Sequence, residues 1–226
     1  AIASEVVVWA QPGLIPLLST VAGIDKLIPL HDGAPQADYD VDVEIMELPH
    51  IFHTTLATVP AKIPYLRAEP MPLPSSADRR PAIGLVWKAG DWAEQRSIPF
   101  SLLAPFAALT DVALFILQPD ALAAGWNGEF GTFLGEFGLP DYARAIRSMD
   151  LLISIDSMPA HLAGAMGVPV WTLLHTDADW RWMDDREDSP WYPSMRLFRQ
   201  RRADDWETVI EDVTSALVPF SSTRGS

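Results

Sequence analysis

The residues best suited to chemistry gather where an apolar run stops. Leu151-Leu152-Ile153-Ser154-Ile155 is short and bounded by polar residues, the pattern of a buried strand, and Asp156, Ser157 and His161 follow it. Asp and Ser both favour a helix N-cap. Pro159 suits a first helical turn, because the N–H it lacks would be unpaired there anyway. Free N–H groups and the dipole at such a helix start suit an anionic group such as a phosphate. Asp156 would repel that phosphate, so it either accepts hydrogen bonds from a sugar hydroxyl or holds the turn. The plainer alternative makes Asp156 and Ser157 caps and His161 a packing residue.

The elements that position these residues follow from the same stretch. His161 to Met166 is a short helix rich in small residues, Gly167 can take the positive φ that ends it, and Pro169 prevents its continuation. Val170 to Leu174 is a second buried strand. A strand–helix–strand unit of this kind crosses over right-handed and builds a parallel sheet. Ligands bind beyond the carboxyl ends of such strands, where Asp156, Ser157 and His161 lie. The next loop, His175 to Trp182, leaves the second strand at that edge. Trp180 and Trp182 offer flat faces to a base or sugar, and Arg181 adds positive charge. The alternative is an aromatic lid over the core.

Composition narrows the partners. The chain has 226 residues, 49% of them hydrophobic, a formal charge of −14 and no cysteine. That is enough for one large or two small domains with a real core. That charge argues against a nucleic-acid or anionic-membrane surface, both of which require clustered Lys and Arg, and leaves room for a local basic pocket for a diphosphate. Disulfides and thiolate metal sites are excluded. No apolar run approaches the ~20 residues of a membrane helix, and nothing resembles a signal peptide, so the expectation is a cytoplasmic protein. The first residue is Ala1, so a natural start is taken to be missing.

Before the central unit, Glu5 to Ala10 reads as a strand, Leu14 to Val21 as a helix and Leu27 to Leu30 as a short strand. His31-Asp32-Gly33 is a turn signal, and Asp40 to Leu48 alternates enough to predict another strand. This is the later part of a Rossmann-like domain without a phosphate-type glycine loop. Four prolines between Ala68 and Pro81 predict an extended, unpaired linker. Ile83 to Trp87 opens a second domain, with a helix from Ser101 to Leu109 and a strand over Val112 to Leu117. Gln118 ends that strand, where its amide edge can read a base. The glycine-rich stretch 125–138 predicts a mobile loop whose Phe130, Phe133 and Phe137 pack. Pro140 to Ser148 is a helix, Met195 to Phe198 a strand, and a last helix follows Asp204. The expected organisation is 1–67, a partial N-terminal domain on the acceptor side; 68–81, linker; 82–218, the nucleotide-sugar-binding domain; and 219–226, a frayed tail.

Ile153-Ser154-Ile155-Asp156-Ser157-Met158-Pro159-Ala160-His161 and the residues on to Leu174 resemble the donor-site motif of the heptosyltransferase-like glycosyltransferases, glycosyltransferase family 9. The closest resemblance is to a bacterial branch in which this region follows tetratricopeptide repeats. The stretches Ile83–Trp87, Arg96–Pro99, Asp179–Trp182, Asp188–Pro193 and Met195–Gln200 carry it. The resemblance implies an α/β, GT-B-like fold of two Rossmann-like parallel-sheet domains, here with the N-terminal one incomplete. It implies transfer of a sugar from a nucleotide-diphosphate sugar to an unknown acceptor, with no cofactor and no metal. His175, Asp177 and Asp179 therefore do not count as a metal site. Arg96 matches a basic residue that binds the donor diphosphate in the family, and its planar fork suits phosphate oxygens. The alternative is a surface salt bridge from Arg96 to Asp91 or Glu94. Lys88 is a second cation. The donor-binding set is then Lys88, Arg96, Gln118, Asp156, Ser157, Met158, His161, Trp180 and Arg181. No general base for the acceptor is evident. The rival reading is a non-catalytic binding or scaffold module attached to repeats that engage protein partners.

Overall fold

The computed structural model describes residues 3–31, 33–74 and 80–223, and of Asp91, Trp92 and residues 219–223 only the backbone. Asp32 in the expected turn and residues 75–79 of the expected linker lie outside the described residues.

Two parallel sheets form. Strands β1 (Val7–Ala10) and β2 (Lys26–Pro29) make a two-stranded sheet. Between them lie a 3₁₀ turn and a short helix, α1 (Ile15–Leu18). Asp40 to Leu48 forms no strand. It turns through a 3₁₀ segment, Ile45–Glu47, into α2 (Leu48–Ile51), so the expectation there was wrong. Its alternation is imperfect, and Pro49 is well placed in a first helical turn.

Six strands make the second sheet: β3 (Ala82–Val86), β4 (Ala113–Ile116), β5 (Thr132–Phe133), β6 (Leu151–Ile155), β7 (Val170–Leu174) and β8 (Met195–Arg199). Their order is β5-β4-β3-β6-β7-β8, and every pairing is parallel. Strands β3, β4, β6 and β7 are buried along their whole length, which is why they read as continuous apolar runs. Apolar layers cover both faces. One contains α3 (Leu139–Arg147) and α4 (Met158–Ala165). The other contains the 3₁₀ segment Phe100–Ala108 and α5 (Trp206–Thr223).

Three further differences have local causes. The segment Phe100–Ala108 is 3₁₀ and not α-helical, because Pro105 sits inside it and cannot donate to an i−4 carbonyl. The glycine-rich stretch contains β5, which adds to the sheet edge through Phe115↔Thr132 and Ile116↔Phe133. The last helix continues to Thr223, through part of the expected tail, while residues 224–226 lie outside the described residues.

Among its described residues the stretch before β3 has no regular structure, as its prolines require, but it is not unpaired. Leu66, Ala68, Met71 and Leu73 pack on the core beneath α3 and α4. Met71 exchanges hydrogen bonds with the Ser148 hydroxyl, its N–H donating at 2.8 Å and its carbonyl accepting at 2.8 Å. The N–H groups of Tyr65 and Leu66 donate to the Ala165 carbonyl at the end of α4.

Candidate functional site

The carboxyl ends of β3, β6 and β7 lie side by side, and the loops that leave them converge. Asp156 follows β6 and is only 4% exposed. Arg96 ends the 3₁₀ stretch after β3, and its Nη1 lies 3.5 Å from Asp156 Oδ2 and 3.4 Å from the Asp156 carbonyl oxygen. His161, on α4, places Nε2 3.8 Å from Asp156 Oδ1. Its Nδ1 is 3.1 Å from the Tyr192 hydroxyl, and its ring stacks on Trp182 at 5.1 Å. Burial pushes the His161 pKa below its ordinary value; the Asp156 carboxylate opposes this and Arg181 reinforces it. The imidazole is therefore neutral near pH 7. Arg96 thus pairs with Asp156 and not with Glu94; the Asp91 side chain lies outside what is described.

Ser157 holds the N-cap position in extended conformation (φ −157°, ψ 174°), yet its hydroxyl caps nothing. It donates instead to the Ile155 carbonyl at 3.3 Å. The first-turn amides of α4 thus receive no side-chain cap, an arrangement open to an anion. Met158, half exposed, lines a cavity of about 230 Å³ with Leu117, Pro119, Glu136, Phe137 and Tyr142. The Tyr142 hydroxyl donates to the Leu117 carbonyl at 2.7 Å, which fixes one wall.

Gln118 turns inward. Its Oε1 accepts from the N–H groups of Trp87 and Lys88 at 3.0 and 2.8 Å, and its Nε2 donates to the carbonyls of Lys88 and Pro119. The amide is fully engaged in joining the ends of β3 and β4, so it holds the turn and has no edge left for a base. The Lys88 side chain is exposed beside it.

A larger cavity, about 360 Å³, opens on the other flank of α4. His161, Trp180, Arg181, Trp182, Trp191 and Tyr192 line it from one side; Ile45, Met46, Pro49 and His50 line it from the N-terminal unit. Trp180 is exposed, whereas Trp182 is fully buried and forms the floor. Arg181 is tied to Asp179 at 2.7 Å and lies over the Trp180 ring. The Trp191 indole donates to the Arg181 carbonyl at 3.1 Å, and Arg199 donates to the Trp182 carbonyl, so the loop is fastened from two directions.

The structure therefore joins Arg96, Asp156, Ser157 and His161 in one cluster. It sets Met158 at one cavity and Trp180 and Arg181 at another, and leaves Lys88 and Gln118 as part of the β3 turn. His175, Asp177 and Asp179 do not converge as ligands. The Asp177 N–H donates to His175 Nδ1 at 3.2 Å, and Asp179 caps the 3₁₀ turn of Trp180–Trp182. Sequence reasoning missed Tyr192, Trp191 and His50. Tyr192 and Trp191 lie within Asp188–Pro193, which carried the family resemblance without a role for either ring, and nothing local marks His50.

Comparison with known proteins bears on this region directly. Residues 116–213 match the profile of glycosyltransferase family 9 (heptosyltransferase). That segment holds Asp156, Ser157, His161, Trp180 and Arg181, while Lys88 and Arg96 precede it. The chain is 30% identical over 156 residues to Protein FlbA of Caulobacter vibrioides, an alignment covering 63% of this chain and 26% of FlbA. The chain therefore spans about a quarter of the length of that relative. Among solved structures it is similar to E. coli ADP-heptose lps heptosyltransferase II, with a TM-score of 0.58, 13% identity, and coverage of 98% of this chain and 91% of that one. The likeness shows the fold, an α/β GT-B-like arrangement of parallel sheets.

Proposed function

We propose that this chain binds a nucleotide-diphosphate sugar and transfers the sugar to an acceptor hydroxyl without a metal ion. The observation that carries this reading is the convergence of Arg96, Asp156 and His161 at the uncapped start of α4. The family match over the segment that supplies Asp156 and His161 supports it.

The two cavities divide the donor between them. The apolar one beside Met158 takes the nucleoside, and the α4 amides with Arg96 take the diphosphate. The sugar then extends past His161 toward the aromatic cavity, where Trp180 and Trp191 offer ring faces. In the reaction the bond between the anomeric carbon and the phosphate oxygen breaks, and the diphosphate leaves with the electron pair. Fixed donors at the helix start and the Arg96 guanidinium stabilise that charge as it develops. Asp156 orients Arg96 and His161 from behind. The residues expected as a donor set serve here in unequal ways: Gln118 shapes the turn, and Lys88 adds a point charge at its rim. A cytoplasmic setting and attachment to tetratricopeptide repeats complete the proposal.

A non-catalytic binding module is the rival reading. It is favoured by the fact that the buried Asp156 carboxylate already balances Arg96. Thermal-shift screening against ADP-, UDP-, GDP- and CDP-sugars separates the two. A donor at about 100 times its dissociation constant raises stability by roughly 2.7 kcal/mol. We expect that shift with one donor, without Mg²⁺, and its loss in Arg96→Glu. Silence across the whole panel would sink the enzymatic reading.

A further inference from the structure

We propose that His175 donates a hydrogen bond from Nε2 to the sugar-bearing phosphate of the donor. This rests on the donor-transfer reading above and deepens it, by adding a ligand of the diphosphate outside the expected donor set.

The His175 side chain is only 7% exposed, and its Nε2 is shielded from solvent with no hydrogen-bond partner among the described residues. Buried polar atoms are rarely left unpaired, and those that are mark strained, catalytic or ligand-taking places. The other ring nitrogen fixes where the proton is. The Asp177 N–H donates to Nδ1 at 3.2 Å, so Nδ1 presents its lone pair. Burial, and after it the Arg96 charge, hold the imidazole below its ordinary 6.5. The ring is therefore neutral near pH 7, and its one proton sits on Nε2. The unpartnered atom is a donor in need of an acceptor.

Topology says which acceptor. His175 directly follows β7, and Ile155 of β6 pairs with Leu173 of β7. Asp156 and His175 thus leave adjacent strands at one edge, and the charges of Arg96 and Asp156 both act on the His175 ring. Along that edge the strands run β4, β3, β6, β7. The cavity assigned to the nucleoside is lined by Leu117 and Pro119 just past β4, and α4 starts just past β6. A donor laid from β4 toward β7 brings its distal phosphate, the one that bears the sugar, nearest His175. A phosphate oxygen accepts hydrogen bonds, and its charge strengthens them. His175 is neither acid nor base in this role. Its N–H stays in place while charge grows on the phosphate it holds.

The test measures binding to the full chain by isothermal titration calorimetry, with ADP, UDP, GDP and CDP and the matching monophosphates. Two substitutions divide the ring nitrogens between them. His175→Asn keeps an acceptor near Nδ1 for the Asp177 N–H and has nothing at Nε2. His175→Gln can place an N–H near Nε2 and has nothing at Nδ1. For whichever diphosphate binds, we expect His175→Asn to weaken it by about tenfold or more, the loss of one hydrogen bond to a charged group. The monophosphate is expected to stay within twofold, and His175→Gln to recover most of the lost diphosphate affinity. A structural role through Asp177 predicts the reverse ranking, with Asn at wild-type affinity and Gln impaired, and that result would overturn the proposal. So would equal losses for monophosphate and diphosphate, or a wild-type His175 protonated on Nδ1 in nitrogen–proton correlation spectra. If no diphosphate binds the wild type, the donor reading fails and this contact falls with it. That failure is read in the wild type before any variant, so it is distinct from failure at His175 alone.

Discussion

Asp156 organises the candidate site because burying a carboxylate is costly unless it is paired. Arg96 arrives from the β3 side and His161 from α4, and one carboxylate oxygen faces each. The sequence-level worry that Asp156 would repel a phosphate is answered by this pairing. Its charge is directed at a guanidinium and an imidazole, not at the helix start. Two histidines, His175 buried and His161 half-buried, give the chain a pH signature. Burial lowers His161 and His175 below the ordinary 6.5, and the nearby Arg96 charge lowers His175 further. A lowered native pKa means that below 6.5 the unfolded chain binds protons the native state does not. Their stabilisation is therefore complete above that value and is lost as pH falls from it through the native pKa values. We expect the calorimetric Tm to drop between pH 7 and pH 5. We also expect a shallower drop in His175→Asn, whose amide oxygen can still accept the Asp177 N–H. An identical slope in the variant would reject this account.

At the scale of elements, α4 works because one of its faces is nearly bare. A Cβ at Gly164 would lie 2.5 Å from Tyr192 Cγ, so the tyrosine ring rests on the helix backbone. That close approach lets its hydroxyl reach His161. Gly167, at φ +70°, then ends the helix. Gly164→Ala brings two opposed effects. Helix propensity gains up to about 1 kcal/mol, whereas overpacking against a ring held by its own turn costs roughly 1 to 3. Overpacking wins, and we expect a net loss of about 1 kcal/mol. Combining Gly164→Ala with Tyr192→Leu in a double-mutant cycle checks the cause. Losses that add without coupling would show that the ring is not what alanine meets.

Across the whole molecule, a formal charge of −14 surrounds the site proposed to take an anionic donor. On the proposed function, the field of the protein would repel an approaching nucleotide sugar until Arg96, Lys88 and Arg181 are close. Raising salt from about 10 to 150 mM shortens the screening length from about 30 to about 8 Å. We expect the association rate of the bound nucleotide sugar to rise a few-fold over that range, measured by stopped-flow tryptophan fluorescence. A rate that falls with salt would mean the local cations govern capture.

What the amino-acid order determined by itself was local. A continuous apolar run must be buried on both faces, so β3, β4, β6 and β7 were legible. Asp156-Ser157 before Pro159, and Gly167 before Pro169, marked the ends of α4 by backbone chemistry alone. The α/β parallel-sheet class and the neighbourhood of Asp156, Ser157 and His161 followed from those, whereas the GT-B-like arrangement came only from the family resemblance of that stretch. The short pieces between 40 and 52 and between 100 and 109 were misread where a proline or a broken period left local preference weak. Partnership was decided only by the tertiary structure. Arg96 meets Asp156 across 60 residues of sequence, and Tyr192 meets His161 across 31. Gln118, placed at the site by the sequence, spends its amide on the turn after β3, 30 residues away. His50 comes to the aromatic cavity only because the N-terminal unit and the loops after β7 line the same space. Such contacts depend on how parallel strands bring distant loops to one edge, and that ordering, β3 beside β6 beside β7, is not written in the spacing of any one segment.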